Sequence, residues 1–189
     1  MKYIKKGFLV GLVGALCLWG SVYVSAKQFH IDPETSYIKF SIKPVGLKPV
    51  HGSFSVFEGT CDIDNNEIQN ANISITLKSI STKNKTRDRH LQQKEFFNAK
   101  TFPIITFMQT EPLALTQKIL VGNLTMKGVT HPVELPVTLN YTSTAERGDV
   151  LEGTIQGVKL DRLQYGVSAQ KRLINRFVYP DIHVKFVTK

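Results

Sequence analysis

The sequence predicts an all-β fold, an antiparallel β-barrel of about eight strands with one short helix, preceded by a signal peptide. Three observations carry this: apolar and polar side chains alternate in one stretch after another, turn-forming residues separate those stretches, and only one segment has a helical pattern. Successive residues of a strand point to opposite faces, so alternation marks a strand with one buried and one wet face.

The elements follow in chain order. Lys2, Lys5 and Lys6 precede an uncharged stretch over 7–25 that ends in Val24-Ser25-Ala26, small residues at the spacing a signal peptidase reads. Residues 1–26 are therefore read as a signal peptide and 27–189 as one domain, exported to the periplasm or, as second choice, secreted. The apolar stretch is also long enough to span a bilayer, so an uncut anchor is the alternative. Cys17 follows the bulky Leu16, which does not suit a lipoprotein signal.

Beyond residue 26 the domain is long enough to bury a core without metal or disulfide. It keeps only Cys61, so no intramolecular disulfide can form, and Cys61 is expected to be a buried small hydrophobe. The formal net charge of +9 falls to about +6 without the three leading lysines. That charge is mixed along the chain, which favours contact with a membrane surface or an anionic head group. Nucleic acid is excluded as a partner, because the basic residues are not interleaved with stacking aromatics.

Alternation and β-branched or aromatic content predict strands over 38–43, 71–78, 104–108, 119–126, 133–139, 151–160 and 182–187. Asp64-Asn65-Asn66, Lys127-Gly128 and Glu146-Arg147-Gly148-Asp149 can reverse the chain, so consecutive strands should run antiparallel. A bulge between Phe54 and Phe57 would turn both rings inward. A helix is expected over 88–96, capped by Asp88. Strands in this number form a closed or nearly closed barrel, either filled by side chains or hollow.

Candidate chemistry is sparse. Arg87, Asp88 and His90 could pass a proton, but Asp88 reads better as a cap, and Arg87 and His90 as ties between helix and barrel. No Gly-x-Ser-x-Gly elbow is present, so no catalytic residue is assigned. The histidines, His30, His51, His90, His131 and His183, stand singly, and no metal site is assigned. Asp62-Ile63-Asp64-Asn65-Asn66 resembles the start of a calcium loop, but Glu67 stands where glycine is needed, so it reads as a turn. Four Asn-x-Ser/Thr matches, at Asn72, Asn84, Asn123 and Asn140, carry no weight here.

Several segments together resemble the YceI family of exported polyisoprenoid-binding proteins. They are Phe29-His30-Ile31-Asp32-Pro33 with Ser36, Phe40-Ser41-Ile42-Lys43, Gly52-Ser53-Phe54, Phe57-Glu58-Gly59, and Arg87-Asp88-Arg89-His90-Leu91. Phe96-Phe97, Phe102-Pro103-Ile104-Ile105-Thr106-Phe107, the run from Gly122-Asn123-Leu124 to His131-Pro132-Val133, Asp161-Arg162 and Tyr165-Gly166 complete the match. Order and spacing carry it, over nearly all of 27–189. One departure is Pro44, in a segment where the family often has histidine. The stretch 169–179, with Lys171, Arg172 and Arg176, is more basic than the family pattern.

The resemblance implies an extended, lipocalin-like barrel with a tunnel that holds an isoprenoid quinone, a prenyl diphosphate or another long amphiphilic lipid. Phe40, Phe54, Phe57, Phe97, Phe107 and Tyr165 could line a tunnel or fill a core, and the resemblance favours the tunnel. Ile42, Leu91, Ile105, Leu124 and Met126 are expected to complete its wall. Arg87, Asp88, His90 and Arg162 are expected at the head-group end, beside Lys83, Lys85 and Arg89. No resident cofactor is implied beyond the bound lipid, and no turnover. The alternatives are an enzyme acting on a lipid or quinone at the tunnel mouth through Asp88 and His90, and a membrane-anchored interaction module built on a solid barrel. Whether the protein forms a homodimer is open.

Overall fold

A computed structural model describes residues 26–144 and 148–188. The expected signal segment, except Ala26, lies outside the described residues, as do Glu146 and Arg147 of one expected turn. Among the described residues no helix is long and apolar enough to cross a membrane.

The described chain is all-β and antiparallel with one α-helix. In order the strands are β1 (Lys27–Ile31), β2 (Tyr37–Pro44), β3 (Val50–Phe54), β4 (Phe57–Asp64), β5 (Glu67–Thr76) and β6 (Ile80–Ser81). A 3-10 turn (Leu77–Ser79) separates the last two, and α1 (Lys85–Leu91) follows β6. Then come β7 (Ile104–Gln109), β8 (Leu113–Ala114), β9 (Ile119–Met126), β10 (Val129–Pro136), β11 (Thr138–Thr144), β12 (Gly148–Ile155), β13 (Leu160–Asp161) and β14 (Ile174–Val187).

Two expectations about the barrel are corrected. The described sheet has fourteen strands rather than about eight, and its ladder does not close. It runs β10-β9-β7-β5-β4-β1-β14-β2-β3-β6, with β12 and β11 branching from β14. β10 passes into β11 through Val137, whose amide donates instead to the Lys118 carbonyl at 2.8 Å. The two arms are thus joined by the chain itself and not by hydrogen bonds. Strand length is the other reason: β14 exchanges partners along its course, so each neighbour covers only part of it. Ile182 pairs with Ile155 on one side and Ile38 on the other, Val187 with Val150 and His30, and Val178 with Leu160 and Ile42.

The local rules of strand chemistry hold where alternation is clean. β9 spans the expected 119–126, and β12 alternates half-buried and buried residues from end to end. Asn65 and Asn66 (φ 49° and 64°) and Lys127 and Gly128 (φ 52° and 77°) form the expected reversals, left-handed pairs that match strand twist. The expected strand over 133–139 is instead the end of β10 and the start of β11, and that over 151–160 stops at Ile155. Gly157, at φ +75°, breaks the latter. Phe54 and Phe57 share one core cluster, but a bend between β3 and β4, not a bulge, turns them there. A bulge does occur in β5, at Asn70 (φ 55°), whose side-chain amide donates to Asp62 at 2.8 Å.

The helix is also corrected. It covers 85–91 and is capped by Asn84, whose side chain accepts from the Arg87 amide at 3.0 Å. Asp88 lies in the first turn, where its charge suits the helix N-terminus, and its carboxylate accepts from the Thr82 amide and hydroxyl at 2.9 and 2.5 Å. Both residues favour caps; Thr82, held 5 % exposed beneath the helix, decides which one is used.

Two buried groups have shifted pKa values, for opposite reasons. Cys61 is 1 % exposed within the cluster of Phe29, Phe107, Leu151 and Phe186, and burial followed by the neighbouring Asp62 charge pushes its thiol up to about 12. We expect no alkylation of Cys61 in the folded protein and rapid alkylation in denaturant, read by peptide mass spectrometry. Labelling at equal rates would refute this.

Asp149 stands on the inward face of β12, and its carboxylate accepts from Lys27 (2.7 Å), Tyr141 (2.9 Å) and Ser143 (2.5 Å). The Lys27 bond first, then Ser143 and Tyr141, hold it at about 2, below the usual carboxylate range. A depressed carboxylate stabilises fully above its unfolded value and loses that contribution as pH falls through the folded one. Asp149→Ala should cost about 2 kcal/mol at neutral pH, mostly from the hydroxyl bonds since Lys27 is half exposed. Urea titrations should show the difference from wild type shrinking between about pH 4 and pH 2.

Candidate functional site

One end of the sheet encloses a cavity of about 770 Å³. Its wall is built by alternation: Ile38, Phe40 and Ile42 from β2 face inward, and β14 adds Ile174, Val178 and Ile182. The segment around α1 closes another side with Leu91, Phe96 and Phe97, and Leu124 and Met126 of β9 face it across the sheet. A second, smaller cavity of about 110 Å³ lies deeper, walled by Phe107, Leu120, Leu151, Val184 and Phe186 among others. Ile38, Ile75, Leu124, Leu160, Pro180 and Ile182 border both cavities and so form the partition between them.

Of the residues expected to line a tunnel, Phe40, Ile42, Phe54, Leu91, Phe97, Ile105, Leu124, Met126 and Tyr165 border the larger cavity. Phe107 borders only the smaller one. Phe57 borders neither and packs against the cluster of Ile38, Phe54 and Leu77.

The expected head-group residues separate into different tasks. Arg87 reaches the larger cavity, where its Nε donates to the Thr82 hydroxyl at 2.7 Å and Nη2 to the Thr82 carbonyl at 2.9 Å. Its Nη1 has no hydrogen-bond partner among the described residues. Asp88 is occupied by Thr82, and His90 is exposed on the outer side of α1, bordering neither cavity. Lys83, Lys85 and Arg89 are exposed likewise.

Arg162 borders the cavity yet is 5 % exposed and faces backbone carbonyls. Nε donates to Asn175 (2.9 Å), Nη1 to Val167 and to Ala169 (3.1 Å), and Nη2 to Ile174 (3.0 Å). Its pKa is lowered by burial, against the pull of Asp161. Asp161 is itself bridged to Arg176 at 2.5 Å, and that hydrogen bond is the main cause of its lowered pKa. Arg162 is thus the fastener of the loop from Val167 to Ile174 that covers the cavity, not a free cation at its mouth. Lys127 assists from the turn after β9, donating to the Gly166 carbonyl at 2.8 Å.

Sequence reasoning missed the mouth. Val45, Leu47, Lys48, Gln170 and Leu173 border the cavity from two loops that meet where the Val45 amide donates to the Leu173 carbonyl at 2.9 Å. The available signal was the pair of bulky apolar residues amid lysines in a turn-rich stretch, but nothing local shows that the two loops meet.

Fold and cavity define a class: an antiparallel β protein that encloses an apolar cavity open at one end. The YceI-like domain model matches residues 29–189, and the chain belongs to that family. A Yersinia enterocolitica protein of the UPF0312 group is 41% identical over 133 residues, covering 67% of this chain and 69% of that one. The protein YceI of Salmonella agona is 33% identical over 141 residues, covering 72% and 73%. Among solved structures, BcnA of Burkholderia cenocepacia superposes with a TM-score of 0.71 at 21% identity, over 82% of this chain and 98% of that one. A polyisoprenoid binding domain from Saccharophagus degradans gives 0.67 at 16% identity, over 87% and 100%, a likeness of fold.

Proposed function

We propose that this protein is an exported carrier that sequesters a long-chain isoprenoid lipid, such as an isoprenoid quinone or prenyl diphosphate, in its larger cavity. The observation that carries the reading is the cavity wall: about 770 Å³ bordered almost throughout by aliphatic and aromatic side chains. That volume is within the roughly 300–1,000 Å³ of small-molecule sites, and burial contributes about 25 cal/mol per Å² of apolar area. A prenyl chain can therefore be held with no polar contact along its length, and selectivity rests on length and girth. Arg87 supplies the polar contact: its spare Nη1 donor suits a quinone oxygen or a diphosphate. Membership of a family with a polyisoprenoid-binding structural neighbour supports the same ligand class. Holding rather than transforming the lipid is favoured because Asp88 is engaged by Thr82 and His90 faces away from the cavity.

The test is native mass spectrometry of the protein purified from its own host, with extraction of any lipid carried along. A stoichiometric long-chain isoprenoid is the expected result. A bare mass that persists after incubation with prenyl lipids would overturn the reading.

A further inference from the structure

The cavity mouth differs from the rest of the surface in two ways. Val45, Leu47 and Leu173 are 68%, 67% and 63% exposed, the three most exposed large hydrophobics among the described residues. Lys43, Lys48, Lys171 and Arg172 are exposed beside them, and the sequence has no Asp or Glu over 37–57 or over 162–180. Neither ion pair between described residues uses any of these four cations.

We propose that this mouth docks on an anionic lipid bilayer, with Val45, Leu47 and Leu173 entering the interface and the four basic residues meeting lipid phosphates. Apolar tips ringed by Lys and Arg suit a surface whose interior is hydrocarbon and whose face is negative. A second copy is a poorer occupant, since two such mouths would bring like charges together. Val45, Leu47 and Leu173 also border the cavity, so docking places its opening against the membrane. This specifies where the proposed carrier would exchange lipid, but docking itself requires no isoprenoid.

The experiment uses the full chain with Trp19→Phe, into which Leu47→Trp, Leu173→Trp or Ile119→Trp is introduced singly. Ile119 is exposed next to Leu120, at the end of the sheet with the smaller cavity. The probe is a vesicle of phosphatidylcholine and phosphatidylglycerol carrying brominated acyl chains, which quench tryptophans that enter the bilayer. Strong quenching at positions 47 and 173 and little at 119 is expected, whatever the N-terminal segment does. Replacing Lys43, Lys48, Lys171 and Arg172 with Gln should weaken partitioning about fivefold per charge.

Quenching no greater at 47 and 173 than at 119, or unchanged by loss of the four charges, would overturn the proposal. So would a lipid-free, concentration-dependent burial of the position 47 tryptophan, which would give the mouth to a second copy. A protein that retains isoprenoid but is not quenched would refute docking alone. One that is quenched but never binds isoprenoid would refute the carrier alone.

Discussion

Replacing Arg162 with alanine is expected to destabilise the protein by about 3–5 kcal/mol, since each buried carbonyl left without its partner costs roughly 1–3 kcal/mol. The guanidinium satisfies the carbonyls of Val167, Ala169, Ile174 and Asn175 at once, and alanine would leave them unpaired around a void. For a domain of this size the midpoint of thermal unfolding should fall by roughly 10 °C or more. Arg162→Lys should recover little, because an ammonium cannot reproduce the planar fork that meets carbonyls in several directions. The covering loop should loosen as well, so amide exchange over 167–174 should accelerate more than in the strands beyond the smaller cavity. A variant as stable as wild type, with that loop equally protected, would refute the fastener role.

Leu124→Trp should lower affinity for the longest isoprenoids roughly hundredfold while leaving shorter ones nearly unaffected. Leu124 lies in the partition between the two cavities and packs against the core clusters around Phe29, around Leu77 and around Tyr165, so a larger ring there fills the deep end of the site. Excluding one five-carbon unit forfeits up to about 4 kcal/mol at about 0.8 kcal/mol per buried CH₂, and partial relocation of the chain recovers some of it. A series of prenyl alcohols of increasing length, measured by calorimetry against wild type, would show the divergence. A uniform loss at every length would place the chain elsewhere.

Legibility from sequence follows the range of the physics. Alternation acts within a few residues, so β9 and the inward set Ile38, Phe40 and Ile42 were readable, as were the left-handed turns at Asn65-Asn66 and Lys127-Gly128. Cap choice depends on a third party: Asn84 and Asp88 are both good caps, and only the position of Thr82 beneath the helix assigns one to the Arg87 amide and the other to Thr82 itself. Most of the apolar candidate residues border the larger cavity, because cavity walls and cores use the same residue types. The cations were sorted less well, since a buried Arg162 and an exposed Arg89 look alike in a sequence.

By itself the sequence determined the antiparallel β character, the family, and the residues able to form an apolar interior. Those follow from local side-chain periodicity and from motif order. Tertiary structure decided that the ladder stays open at Val137, that β14 is shared among β1, β2, β12 and β13, and that the interior retains a cavity. It also decided that, of the two arginines bordering that cavity, Arg162 fastens its cover while Arg87 keeps a donor to spare. Each of these depends on contacts between segments far apart in the chain, where free volume and the partners of a buried charge are set by packing rather than by local pattern.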